Sequence, residues 1–293
     1  MLCMAIQIHG LNCVKQLWIF TNLRQSLFER LPMIQRRHIL LTPLAFTPLA
    51  YGQVTDLSDA INKAGRQRML SQRMAKAWFA ILLQVDAPQA KLVMDRSMAL
   101  FDRQLSELKA YSATTALKQT YQQLETAWSE FKGILVGQMP SRDNGAKLLE
   151  LDGTVLRLAN QGTGQFEGLA TRPTGRLVNI AGRQRMLSQR MAKFYLAAVT
   201  PVTADVAKTE LAKSRTEFLS AMDTLKTAPE ATARIKEEIT LAEGQWIFFD
   251  QSLQKLGTPA AASTKAHSDV FVASENVLSA MDRVTSMYAA MQS

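Results

Sequence analysis

The chain has 293 residues, enough for one large or two ordinary domains, and its 34 Lys and Arg against 25 Asp and Glu give a formal charge of +9. Both cysteines, Cys3 and Cys13, and two of the three histidines, His9 and His38, precede Gln53, so the remainder holds no thiol and one imidazole, His267. Disulfides, thiolate chemistry and His/Cys metal centres are thereby excluded from residues 53–293. The net charge there falls to +5, too mild for a nucleic-acid footprint.

Residues 1–52 read as an amino-terminal extension followed by a secretory signal. Met33 is the expected initiator. Arg36, Arg37 and His38 precede the apolar run Ile39–Ala50, and the small-residue pattern Ala50-Tyr51-Gly52 precedes Gln53. That order of charged, apolar and cleavage regions predicts export with cleavage near Gln53, by general secretion or a twin-arginine route, and a periplasmic mature protein. The apolar run is short and interrupted by proline, unlike a transmembrane helix. An uncleaved amphipathic membrane anchor is the alternative.

From Gln53 onward, apolar residues recur at three- and four-residue spacing through Ala-, Leu-, Gln-, Lys- and Met-rich stretches, with no alternating β-branched runs. Breaks fall at Asp86–Pro88, Tyr111–Thr115, Gly137–Asn144, Thr171–Gly175, Thr200–Thr203, Thr227–Thr232 and Gly257–Ala260. The result is an all-α chain of eight helices, four per half, read as repeats spanning residues 53–171 and 172–293.

The stretch AGRQRMLSQRMAK stands at Ala64–Lys76 and again, unchanged, at Ala181–Lys193. At the same offset Asn62 matches Asn179 and Phe101 matches Phe218; one residue further on, Trp128 and Phe131 match Trp246 and Phe249. Sparse apolar matches are what a duplicated four-helix bundle retains, because a core fixes size and period rather than identity, so both tryptophans are assigned to the core.

An α-helix advances about 100° per residue, so Asn62, Arg66, Met69 and Arg73 form one narrow stripe, repeated as Asn179, Arg183, Met186 and Arg190. Arg68 and Arg185 point almost oppositely. Gly65 and Gly182, costly in mid-helix, leave room for close approach of another backbone. Two motif helices paired about a pseudo-twofold axis would set arginine stripes against each other, and a small planar oxyanion between the guanidinium groups would relieve their repulsion. Alternatively, the arginines form a solvated face or pair with acids such as Asp152 and Asp282.

The segments INKAGRQRMLSQRMAK (Ile61–Lys76) and VNIAGRQRMLSQRMAK (Val178–Lys193) resemble the signature of the amino-terminal domain of type IV pilus methyl-accepting chemotaxis transducers, the PilJ-type domain. They are also similar to the P-box of nitrate/nitrite sensor kinases and to NIT sensor domains. That resemblance covers nearly all of residues 53–293 as two copies. It implies a helical sensor module that binds nitrate at a twofold interface through an arginine late in the P-box, which looks like Arg73 with Arg190 as its partner. Arg68 and Arg185 would be structural or signal-transmitting. Arg66 and Gln67 depart from the kinase P-box.

The expectation is therefore a non-enzymatic exported sensory protein, without cofactor or metal, binding nitrate or nitrite between the motif helices. Its expected ligand residues are Arg73, Arg190, Arg66, Arg183, Asn62, Asn179, Gly65 and Gly182. The transmembrane, HAMP and output segments of such transducers are not recognised after Gln53, so the signal is expected to pass to a membrane sensor, chemoreceptor or transport component. The alternative is a pilus- or chemoreceptor-associated docking protein with no small ligand. His267 is read as a solvent-exposed helix residue.

Overall fold

A computed structural model describes residues 53–171, 173–200 and 204–291, and the expected leader and cleavage site lie outside them. The described residues form eight α-helices and no strand: α1 (Leu57–Leu82), α2 (Ala87–Tyr111), α3 (Thr115–Gly137), α4 (Arg142–Glu167), α5 (Thr174–Ala198), α6 (Ala204–Thr227), α7 (Ala233–Leu253) and α8 (Thr264–Ala290). A short 3₁₀ turn, Pro259–Ala262, precedes α8.

Helix starts follow local chemistry. The side chains of Asp56, Thr114, Thr232 and Ser263 each accept from the backbone N–H three residues on, satisfying donors that the first turn leaves unpaired. At α4 the reciprocal contact is made, with Ser141 N–H donating to Asn144 Oδ1 at 3.0 Å. Pro88 sits in the first turn of α2, where its missing N–H costs nothing.

The two halves are tandem four-helix bundles of matching design. In the first, α1 packs against α2 and α4, and α3 closes against α4; in the second, α5 packs against α6 and α8, and α7 closes against α8. The motif helices α1 and α5 then pair with each other at the centre, and α8 also reaches α1. Each is consequently buried around nearly its whole circumference: Gln67–Gln72 and Met74–Ala80 are buried without interruption on α1, as are Gln184–Gln189 and Met191–Ala198 on α5. No described helix is long and apolar enough to cross a membrane.

The aromatic core repeats as expected. Phe101 stacks on Trp128 with ring centroids 4.2 Å apart, and Phe218 on Trp246 at 4.4 Å. Phe131 and Phe249 meet those tryptophans edge-on at 6.0 Å in both halves. Trp128 Nε1 donates to Asp102 at 2.7 Å, so the indole keeps a partner for its polar edge. His267 departs from expectation: it is buried, its Nε2 lies 2.8 Å from the Ala261 carbonyl, and its ring meets Tyr195 edge-on, because the 3₁₀ turn folds back over the start of α8.

Candidate functional site

The seam between α1 and α5 is centred on Gly65 and Gly182. A Cβ at Gly65 would stand 3.2 Å from Arg68 Nη2 and 3.7 Å from Arg185 Nη2, and one at Gly182 would stand 3.2 Å from Arg185 Nη2 and 3.7 Å from Arg68 Nη2. The two guanidinium groups therefore fill the space that the absent side chains leave. Helical side chains lean toward the amino terminus, which carries each arginine back over the glycine three residues before it. The Nη2 atoms lie no more than about 7 Å apart, where two unit charges at an effective dielectric of about 20 repel by about 2 kcal/mol.

Both arginines are fully buried. Arg68 donates to Asn160 Oδ1 at 3.0 Å, to Asn179 Oδ1 at 2.7 Å and to the Asn179 carbonyl at 3.3 Å. Arg185 donates to Asp282 Oδ1 at 2.5 Å and to the Asn62 carbonyl at 3.2 Å. Among the described residues the Nε of each carries no hydrogen-bond partner, and the buried Asn62 Oδ1 also has none. Burial pushes Arg68 down to about 9, reinforced by the charges of Arg183 and Arg185 and opposed by Glu167 and Glu217. Burial likewise lowers Arg185 to about 10, with Arg66 adding to the effect and Asp282 opposing it.

This placement corrects the angular reading of the motif. Measured around α1 from Gly65, Arg68 lies about 60° to one side, while Asn62, Arg73 and Arg66 lie about 60–100° to the other. Arg68 is indeed turned away from the stripe, but the close approach is centred on glycine. It therefore brings Arg68 and Arg185 together, not the stripes.

The stripe arginines lie half-buried beside the seam, each with a carboxylate. Arg66 Nη2 meets Asp282 at 3.0 Å. Arg73 forks onto Glu275, its Nε donating at 3.0 Å to Oε1. Arg183 pairs with Glu217 and also donates to Asn160 Oδ1 at 3.2 Å; Arg190 pairs with Glu210 at 2.6 Å. Asn179 relays Arg68 to Glu167, its Nδ2 donating to that carboxylate. Arg183 and Arg190 line a cleft of about 390 Å³ between α4, α5 and α6, together with Asn160, Lys213, Glu210 and Glu217. Arg66 and Arg73 lie outside it.

A second polar layer crosses the seam two turns further on. Lys193 donates to Asp152 at 2.5 Å and to Gln72 Oε1 at 2.7 Å, and Gln72 donates in turn to Asp152 at 2.7 Å. Lys76 donates to Ser274 at 2.9 Å and to Glu275 at 2.6 Å. Burial lowers both lysines to about 8, against the opposing pull of Asp152 or Glu275. Burial opposes ionisation of Glu275, yet Lys76 and Arg73 together outweigh it and hold the carboxyl at about 2.

The unchanged thirteen residues now have a physical account. Gln67 and Gln184 donate to the Phe101 and Phe218 carbonyls, tying each motif helix to its own bundle. Ser71 and Ser188 donate to the carbonyls of Arg68 and Arg185. The buried Arg68 meets Asn160 of its own bundle and Asn179 of the other copy, and Lys76 and Lys193 reach across to Glu275 and Asp152, so a change at these positions must also fit the other copy. Of the two acids that the sequence offers to the basic stripe, Asp282 meets Arg66, whereas Asp152 meets Lys193 and Gln72 instead. Asn160, Glu210, Glu217 and Glu275 carry no such signal, because they sit outside the motif on helices whose register the motif does not define.

Among the described residues no cluster of His, Cys, Asp and Glu has the arrangement of a metal site. No curated protein and no solved structure matches the chain. One family profile does, twice, over residues 52–150 and 171–271, covering more than half of the chain. With the paired bundles and the doubled motif, these matches place the protein, as two tandem copies, in the PilJ family, the type IV pili methyl-accepting chemotaxis transducer N-terminal domain.

Proposed function

We propose that the protein is an exported sensory module that binds a small oxyanion, nitrate or nitrite, at the seam of its two repeats and passes the signal to a partner protein. The observation that supports this reading is the pair of fully buried arginines, Arg68 and Arg185, with unpartnered Nε groups, facing each other where Gly65 and Gly182 remove side-chain bulk. Buried like charges are costly unless an anion or carboxylate joins them. Planar guanidinium forks suit planar oxyanions.

In this reading Arg68 is the primary ligand group and Arg185, joined to Asp282, faces it across the seam; Asn62 and Asn179 present amides beside them, and Arg183 and Arg190 line the approach. Arg66 and Arg73 are held by Asp282 and Glu275. Occupancy would stiffen the α1–α5 pair, and that pair joins the two bundles, so a change at the seam reaches every helix that a partner could touch.

Calorimetric titration with nitrate, nitrite, sulfate and chloride tests the reading. Saturable binding of nitrate or nitrite, abolished by Arg68→Met, is the expected result. A protein silent to all four would overturn it. A second reading, docking without a small ligand, draws on the exposed Leu241, Ile247 and Phe248 of α7. It predicts no oxyanion response and loss of partner binding on their replacement by serine.

A further inference from the structure

The helices that flank the seam, α4 and α8, correspond at one constant spacing. Asp152, Asn160, Thr163 and Phe166 of α4 take the places of Ser274, Asp282, Thr285 and Tyr288 of α8. The contacts bear this out. Thr163 and Thr285 each donate to the carbonyl four residues back, and Lys193 meets Asp152 as Lys76 meets Ser274. At the seam itself, Arg185 and Arg66 both donate to Asp282 Oδ1, while Arg68 and Arg183 both donate to Asn160 Oδ1.

The two sides of the seam thus hold the same fork of two guanidinium groups, joined by a carboxylate on one side and by a neutral amide on the other, where Arg183 also pairs with Glu217. Asp282 is half-exposed; partial burial opposes its ionisation, but Arg185 and Arg66 outweigh that and hold its carboxyl below the usual range. Among the described residues Arg68 pairs with no carboxylate; Glu167 is linked to it through the Asn179 amide. The 390 Å³ cleft opens on the amide side, where Asn160 is exposed and Arg183, Arg190 and Lys213 stand in its wall with Glu210 and Glu217.

Resting on the oxyanion reading above, we infer that the seam is a one-sided site: Asp282 is a built-in anion on the α8 side, and one planar monovalent oxyanion, entering from the cleft, takes the corresponding place beside Arg68 and Arg183 by displacing the Asn160 amide. The ligand class follows from the twin. One carboxylate satisfies the Arg185–Arg66 fork, so the matching fork takes a single charge on a flat group, as nitrate, nitrite or a small carboxylate supplies, rather than a tetrahedral dianion. One anion per chain follows from the same argument.

The test is calorimetry and thermal unfolding of the full chain with nitrate, nitrite, acetate and sulfate, in wild type and three variants. Wild type is expected to bind one nitrate per chain. Asn160→Asp supplies the missing carboxylate; it should melt higher than wild type without nitrate and bind nitrate roughly tenfold or more weakly. Asn160→Ala removes the amide without adding charge and should still bind, which separates charge from lost contact. Asp282→Asn should raise the stoichiometry toward two. Equal nitrate binding by wild type and Asn160→Asp, or loss of binding in Asn160→Ala, overturns the one-sided site while leaving the oxyanion reading standing. A wild type silent to every anion overturns both.

Discussion

Arg68 of the first repeat holds Asn179 of the second, donating to its side-chain oxygen at 2.7 Å and to its carbonyl at 3.3 Å. The reverse contact is thinner. Arg185 reaches only the Asn62 carbonyl, because its other amino group is committed to Asp282. The repeats are therefore joined through buried charge as well as apolar packing, and each prediction below probes one part of that junction.

The glycines come first. A methyl at Gly65 or Gly182 would press on the ends of two flexible arginine side chains, which can shift without moving the backbone. Gly65→Ala and Gly182→Ala should stay folded, within about 1 kcal/mol of wild type, because better helix propensity offsets the crowding. Both should lose most of the oxyanion response. Urea unfolding paired with nitrate calorimetry reads the two effects, and an alanine variant that binds like wild type would remove the guanidinium pair from the ligand site.

Asp152 and Lys193 form a buried ion pair, with side chains essentially sealed from solvent. Removing one partner leaves an uncompensated buried charge, so Asp152→Ala should cost about 3–5 kcal/mol. The double change Asp152→Leu with Lys193→Met should recover most of that loss. Chemical denaturation gives both values; a single-variant cost below about 1 kcal/mol would mean that water reaches the pair.

Arg73 separates the stripe from the seam. It is partly exposed and forked onto Glu275, which Lys76 also holds. Arg73→Ala should lower stability by about 1 kcal/mol and leave nitrate affinity within about twofold. Loss of nitrate binding in this variant would return the ligand to the stripe face.

The pH dependence of stability follows from the buried cations. Folded Lys76 and Lys193 release protons near 8, and an unfolded lysine near 10.5, so between those values the unfolded chain binds more protons and stability rises with pH. Tyr288, raised to about 12 chiefly by burial, acts oppositely: the unfolded phenol ionises near 10 while the folded one does not, and stability falls above that pH. Scanning calorimetry should show the melting temperature rising from about pH 8 to about pH 10 and turning over at about pH 10–11. On the acid side, the contribution of Glu275, full above its ordinary value of 4.5, should be lost as the pH falls toward 2. A steady decline in melting temperature from pH 7 upward would contradict the lowered lysines.

The amino-acid sequence by itself determined the helical class, the punctuation between helices, the duplication and the aromatic core, because these rest on local propensity, periodicity and caps. It also marked Gly65 and Gly182 as points of close approach and offered Asp152 and Asp282 to the basic stripe, of which only Asp282 meets it. Which arginine meets which was decided only by packing. Helical periodicity gives angles between residues on one helix but no origin for them, and the origin here is set by the glycine seam of α1 against α5. Arg68 and Arg185 thereby changed places with Arg73 and Arg190 at the centre. Tertiary structure alone also aligned α4 with α8, setting Asn160 opposite the role of Asp282, since that correspondence runs at a different spacing from the motif and depends on how each flanking helix docks.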